Sequence, residues 1–121
     1  MNVIVNNLLT NYEKQGKGPV ILFLHGWGDD SRTFAQLISK LKNSYTCIAV
    51  DLPGFGATQQ PNEVWGVEQY AQFVKSFTEK IQIKPDVVVG HSNGGTIALF
   101  ALSHNLLSAQ KLVLLASAGI L

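Results

Sequence analysis

The stretch "VVVGHSNGGTIALFAL" at residues 87–102 limits the fold of this chain more than any other. Residues 87–89 are three β-branched valines and read as a buried strand. Residues 93–104 read as a helix, so little more than Gly90, His91 and Ser92 connects the two. Such a short connection forces strand and helix backbones together. The positions two before and two after the serine must then be small, and they are Gly90 and Gly94. Gly95 and Ala98 continue the small face. A serine on a turn this sharp projects its hydroxyl above the sheet. The helix behind it presents unpaired N–H groups that favour a negative charge. The plain alternative is a glycine-rich turn whose serine only caps the helix.

The remaining sequence supplies a scaffold for that unit. Residues 3–5 and 8–13 read as short strands joined by a turn at Asn6-Asn7, an antiparallel hairpin at one edge of a sheet. "QGKGP" at 15–19 reads as a loop. "VILFL" at 20–24 is a continuous apolar run, as in a strand covered on both faces. A helix follows, with Asp30 or Ser31 as N-cap and Phe34, Leu37, Ile38 and Leu41 on its apolar face. Residues 46–50 form the next strand, ending at Asp51. "DLPGFGATQQPNE" is a polar Gly- and Pro-containing loop. Val67, Tyr70, Ala71, Val74, Phe77 and Ile81 then recur at helical spacing, and Pro85 breaks that helix. Residues 111–116 are a last apolar strand. Alternating strands and helices with apolar strands predict an α/β fold, a mainly parallel sheet with helices on both faces.

Composition excludes several functions. The 121 residues suit one domain, and 46% hydrophobic against 14% charged residues argues for a packed core. The net charge is +1 with Lys and Arg scattered singly, so no basic stripe marks a nucleic-acid or anionic-membrane partner. The one cysteine, Cys47, lies in "YTCIAV" and is expected to be a buried, inert thiol. His and acidic residues form no ligand cluster at useful spacing, so neither metal nor cofactor is implied. The start "MNVIVNNLL" lacks a basic signal-peptide region, and no apolar run approaches membrane-spanning length. A soluble cytoplasmic protein is the expectation.

Three blocks, each after an expected strand, carry a resemblance: "LHGWGDD" at 24–30, "DLPGFG" at 51–56 and "GHSNGG" at 90–95. In this order they resemble the α/β-hydrolase family, and the likeness spans about residues 18–119. The resemblance implies that Ser92 is a nucleophile on a turn with Gly90, His91 and Gly94. It implies that the backbone N–H groups of Asn93 and Trp27 form an oxyanion hole. The substrate would be a small molecule with an ester, thioester or similar acyl bond. The blocks also look like small-ester carboxylesterases, including those that cleave pimeloyl-carrier methyl esters. Carbon–carbon bond hydrolases and cofactor-free haloperoxidases share them. Ser92 argues against haloalkane dehalogenases and epoxide hydrolases, which place Asp there.

A dinucleotide-binding reading competes for one block. Gly26-x-Gly28-x-x-Ser31 follows a strand and opens a helix, and Asp51 ends the next strand. Asp29 and Asp30 would place negative charge beside a pyrophosphate, Ser31 replaces the third glycine, and "GHSNGG" is left unexplained. Asp51 is better read as a carboxylate that organises its loop.

The family's order places an acid and then a histidine after the serine. The segment after Ser92 has no Asp or Glu, and its histidine, His104, stands on the same helix about 18 Å away. His91 adjoins the serine and is expected to point elsewhere, and His25 is expected to be structural. By resemblance the last strand would be about the sixth of a usual eight. The expectation is therefore one partial hydrolase domain over 1–121, inactive alone. Lid, acid and histidine would lie beyond it or on a second chain. The non-enzymatic alternative is a catalytically dead interaction domain that offers its last strand to a partner.

Overall fold

The computed structural model describes residues 1–116. Its strands are β1 (Asn2–Val5), β2 (Leu8–Gly16), β3 (Val20–Leu24), β4 (Thr46–Val50), β5 (Val87–His91) and β6 (Lys111–Leu115). Its helices are α1 (Ala35–Leu41), α2 (Val67–Lys80) and α3 (Asn93–Ser103), with a 3-10 turn at Ser31–Phe34. The strands form one sheet of order β1-β2-β4-β3-β5-β6.

Asn6 and Asn7 take φ of 49° and 67°, the two left-handed residues of a tight hairpin turn, which asparagine tolerates. They bring β1 and β2 into antiparallel register, Val5 opposite Leu8. β2 continues to Gly16, beyond the expected 8–13 and into the expected loop. Its polar second half leaves β1 and pairs antiparallel with β4, Tyr12 opposite Val50 and Gly16 opposite Thr46. Residues 14–16 are exposed, so alternation gave no strand signal there.

The other pairings, β4 with β3, β3 with β5 and β5 with β6, are parallel. Both faces of the central strands are buried. Ile21, Phe23, Cys47, Ala49 and Val89 pack against Phe34 and Ile38 on one side. Leu22, Leu24, Ile48, Val50 and Val88 pack on the other with Tyr70, Phe73, Val74 and Phe77 of α2 and Ile97, Ala98 and Ala101 of α3. Consecutive residues of β3 thus face opposite cores, which accounts for its unbroken apolar run. Cys47 is fully buried, and burial pushes its thiol pKa up.

Element ends show where local chemistry overrode pattern. Ser31 N–H donates to Asp51 Oδ1 and Thr33 N–H to the Asp30 carbonyl, so the first helical turn winds as 3-10 before α1 begins. Asp30 caps it, accepting from Arg32 N–H at 2.9 Å. α2 stops at Lys80, well before Pro85. Gln82 is left-handed at φ 60°, with Ile83 N–H donating to the Thr78 carbonyl and Gln82 N–H to that of Glu79. Asn105 (φ 59°) ends α3 in the same two-bond pattern. β6 ends at Leu115, because Ala116 turns to φ 42°.

From β3 the chain passes through α1 to β4 on one side, then through α2 to β5 on the other side of β3. Strand order therefore reverses between β3 and β5. In an open parallel sheet, the carboxyl ends of strands at such a reversal open a crevice.

Candidate active site

The loops after β3 and β5 meet at that crevice, because Leu24 and Gly90 are register partners. Ser92 stands between β5 and α3 at φ 54°, ψ −120°, a region that fits glycine rather than an L side chain. The surroundings fix this conformation. Ser92 N–H donates to the Leu115 carbonyl at 3.0 Å, and Gly95 N–H donates to the Ser92 carbonyl at 2.9 Å. A Cβ on Gly90 would fall on the Gly95 backbone, and one on Gly94 on the Leu24 carbonyl oxygen. Both glycines are required by close approach, as their spacing predicts.

Gly26 is also in close contact, though less tightly: a Cβ there would meet Ser92 Cβ at 3.0 Å and His91 Nδ1 at 3.3 Å. The sequence reading did not single out Gly26 for this. Its only signal was position, one residue past a strand that neighbours β5. The next residue, Trp27, is 65% exposed. Trp27, Ser92 and Asn93 share the wall of one cleft of about 410 Å³, with Trp65, Gly66, Val67 and Tyr70. Among the described residues, the N–H groups of Trp27 and Asn93 donate to no protein acceptor. Asn93 is the first residue of α3, where an N–H has no intrahelical partner and the helix dipole is positive.

The three histidines occupy three different environments. His25 is fully buried: Nδ1 bonds the Gly26 carbonyl at 2.8 Å, and Nε2 accepts from Leu52 N–H at 2.9 Å. That pairing specifies the neutral Nδ1-protonated ring. Burial lowers its pKa, against the Gly26 carbonyl and the nearby aspartates. His91 turns toward the loop after β3, its Nδ1 3.8 Å from Asp29 Oδ2; that nitrogen is buried without a hydrogen-bond partner among the described residues. His104 lies exposed at the far end of α3, stacked on Phe100 and bonded to its carbonyl.

Asp51 does organise its loop. Oδ1 accepts from Ser31 N–H at 2.8 Å, and Oδ2 accepts from Ala57 N–H and Asn11 Nδ2 at 2.9 and 3.0 Å. Burial would raise its pKa, but the Ala57 and Ser31 bonds, with Asn11, outweigh it and hold the carboxyl below its usual value. Asp51 is buried and both of its oxygens are engaged within its own loops, which supports the loop-organising role over the dinucleotide reading. Asp30 pairs with Arg32 at 2.8 Å, and that guanidinium lowers its pKa to about 2.

A wall of aromatic rings beside Ser92 was missed as a site feature. Trp27 meets Phe55 edge-on at 4.8 Å and Tyr70 at 6.3 Å, and Trp65 meets Tyr70 at 5.2 Å. Tyr70 was legible only as core, and Phe55 and Trp65 only as loop residues. Among the described residues, no cluster of three or more His, Cys, Asp or Glu could hold a metal ion, and no helix is long and apolar enough to cross a membrane.

An open parallel sheet with a serine on a strained strand-to-helix turn at its switch point defines a hydrolase-type scaffold. The family model for the alpha/beta hydrolase fold matches residues 19–120, and the chain belongs to that family. An uncharacterized hydrolase of Bacillus subtilis, YugF, is 33% identical over 97% of this chain and 43% of its own length. Among solved structures, an esterase from Exiguobacterium antarcticum superposes with TM-score 0.88 at 25% identity, over 97% of this chain and 45% of that one. A meta-cleavage product hydrolase from Pseudomonas fluorescens gives TM-score 0.91 at 25% identity, over 98% and 45%. The chain thus spans less than half the length of these relatives.

Proposed function

We propose that this chain carries the nucleophile half of a serine hydrolase that cleaves an ester or similar acyl bond of a small molecule. The observation that carries the reading is Ser92 at φ 54°, beside two unclaimed N–H donors on facing loops. Strain that the surroundings maintain at a crevice fits a working residue better than a cap, and Ser92 makes no side-chain capping bond.

In this reading Ser92 Oγ attacks the substrate carbonyl carbon as its proton passes to a base. The carbonyl oxygen becomes an oxyanion and accepts from the Asn93 and Trp27 N–H groups, at the positive end of α3. Collapse expels the alcohol, which takes the proton back, and water then releases the acid from the acyl-serine. The base is not one of this chain's histidines: His25 has both nitrogens engaged, His104 is at the far end of α3, and His91 faces Gly26 and Asp29. It comes from outside residues 1–121, in a longer chain or a second one, and the domain is a partial one in that sense. No cofactor takes part, and the cytoplasm suits a chain with a free buried thiol.

Free imidazole can stand in for the missing base. A fluorophosphonate should label Ser92 slowly in the chain alone and faster as imidazole is added, with no adduct in Ser92→Ala. If imidazole never produces a Ser92 adduct, the nucleophile assignment is wrong. If labelling without imidazole is as fast as in an intact serine hydrolase, the base is inside the chain after all.

A further inference from the structure

The Ser92 cleft has a chemical bias that the hydrolase reading does not use. Its wall is Trp27, Trp65, Tyr70 and Val67, and no charged side chain lines it. Tyr70 contributes ring rather than hydroxyl: it is buried, and its OH donates to the Pro53 carbonyl at 3.0 Å. The interplanar angles of Trp27 to Phe55 and Tyr70 are 72° and 88°, edge contacts that consume little of the indole. The ring stays 65% exposed on a tip between Gly26 and Gly28, and nothing lies within 4 Å of a Cβ built on Gly28. A large apolar ring held exposed next to a serine is an unsatisfied surface.

The same wall has a second side. Trp27, Trp65 and Tyr70 also line a neighbouring cleft of about 420 Å³ that includes Gln60, Asn62 and Glu63. Glu63, the carboxylate of that second cleft, does not line the Ser92 one. A flat ring attached at the scissile carbonyl would meet aromatic side chains there.

We infer that the Ser92 cleft selects substrates whose acyl group carries an aromatic ring next to the carbonyl, with Trp27 and Trp65 as specificity-determining residues. The inference rests on the reading of Ser92 as the attacking group and adds the substrate class.

The test uses the full 121-residue chain as Ser92→Ala, so that nothing turns over. Its two tryptophans give two indole N–H signals, which Trp27→Phe and Trp65→Phe assign. Methyl phenylacetate should shift both signals saturably. Methyl cyclohexylacetate, saturated but of similar size, should bind about fivefold more weakly. Trp27→Ala should weaken methyl phenylacetate about fivefold. It truncates an exposed ring and leaves the fold intact; Trp65→Leu gives a second check on the other tryptophan of the cleft. Equal binding of the two esters, or binding indifferent to both variants, overturns the inference. So does a concentration-dependent mass that Trp27→Ala abolishes, since the ring would then be covered by a second copy. Imidazole-rescued labelling of Ser92, run in parallel, separates the two ideas. Ring preference without labelling sinks the hydrolase reading, and labelling without ring preference sinks this one.

Discussion

Two loops leave the same edge of the sheet, one after β4 and one after β5, and they treat their polar groups in opposite ways. After β4, Asp51 gathers Ser31 N–H, Ala57 N–H and the Asn11 amide, His25 accepts from Leu52 N–H, and Tyr70 closes on the Pro53 carbonyl. After β5, Ser92 is held at a φ that L residues avoid. The N–H groups of Asn93 and Trp27 lack protein acceptors among the described residues, and His91 Nδ1 is buried without a partner. Of these, His91 Nδ1 is the buried one, and burying a polar group unpaired costs about 1–3 kcal/mol. The β4 loop is finished as a scaffold. The β5 turn keeps bonding capacity for something outside the fold.

The sharpest way to break this contrast is at Gly94, where scaffold and site touch. Gly94→Ala sets a methyl on the Leu24 carbonyl oxygen, a backbone atom that cannot step aside. The expected loss is about 3–5 kcal/mol, the range of severe overpacking, read from the urea midpoint at unchanged m-value. Gly28→Ala is the control: its methyl meets nothing, and only the left-handed φ of 80° opposes it. It should cost roughly 1–2 kcal/mol. Equal losses for the two would mean that steric closeness at Gly94 is not what fixes the turn.

Asp51→Ala attacks the finished loop instead. It orphans the buried Ser31 N–H, whereas the exposed Ala57 N–H can turn to water. A loss of roughly 2–3 kcal/mol is expected, with imidazole-rescued labelling of Ser92 retained in the folded fraction. Loss of labelling in well-folded Asp51→Ala would show that the two loops are one unit.

The sequence made the contrast half visible. Small residues around Ser92 can be read without coordinates, because a short strand-to-helix link admits only one steric solution. A carboxylate at the end of an apolar strand, before Pro and Gly, is equally legible as a loop organiser. What could not be read was partnership across distance. Gly26 looks like any turn glycine until β3 and β5 are known to be neighbours. Residues 14–16 do not look like a strand because their partner strand lies about 30 residues away. Trp65 and Phe55 reveal nothing until Trp27 is folded against them. The end of α3 was misplaced by one residue, and the stop of α2 was credited to Pro85, since Gln82 and Asn105 terminate their helices through left-handed conformations that glycine more often supplies.

Acid should unmake the finished loop in two stages. His25 is neutral in the fold with its pKa lowered from 6.5, so its contribution is present above pH 6.5 and is lost as pH falls through the folded value. Asp51 is also lowered, from 3.8, and its contribution disappears only as pH falls below that. Urea midpoints measured from pH 8 downward should therefore decline first below about 6.5 and again below about 4. Asp51→Asn should shrink the second decline, to which the Asp30–Arg32 pair also contributes, and leave the first. A single decline confined to pH below 4 would mean that His25 is not held neutral.

The smallest expected effect is also the one that runs opposite to intuition. Ser92→Gly removes the side chain from a conformation that disfavours it, and strain of this kind is worth about 1–3 kcal/mol. The new glycine gives back about 0.5–1 kcal/mol through its freer unfolded chain. Ser92 forms no side-chain cap, so no helix bond is lost with the hydroxyl. The net should be a gain of about 1 kcal/mol, together with complete loss of imidazole-rescued labelling. A scaffold serine would behave the other way: Ser92→Gly would destabilise the chain. Stability gained where chemistry is lost would mark the β5 turn as the part of this fold held in place by function.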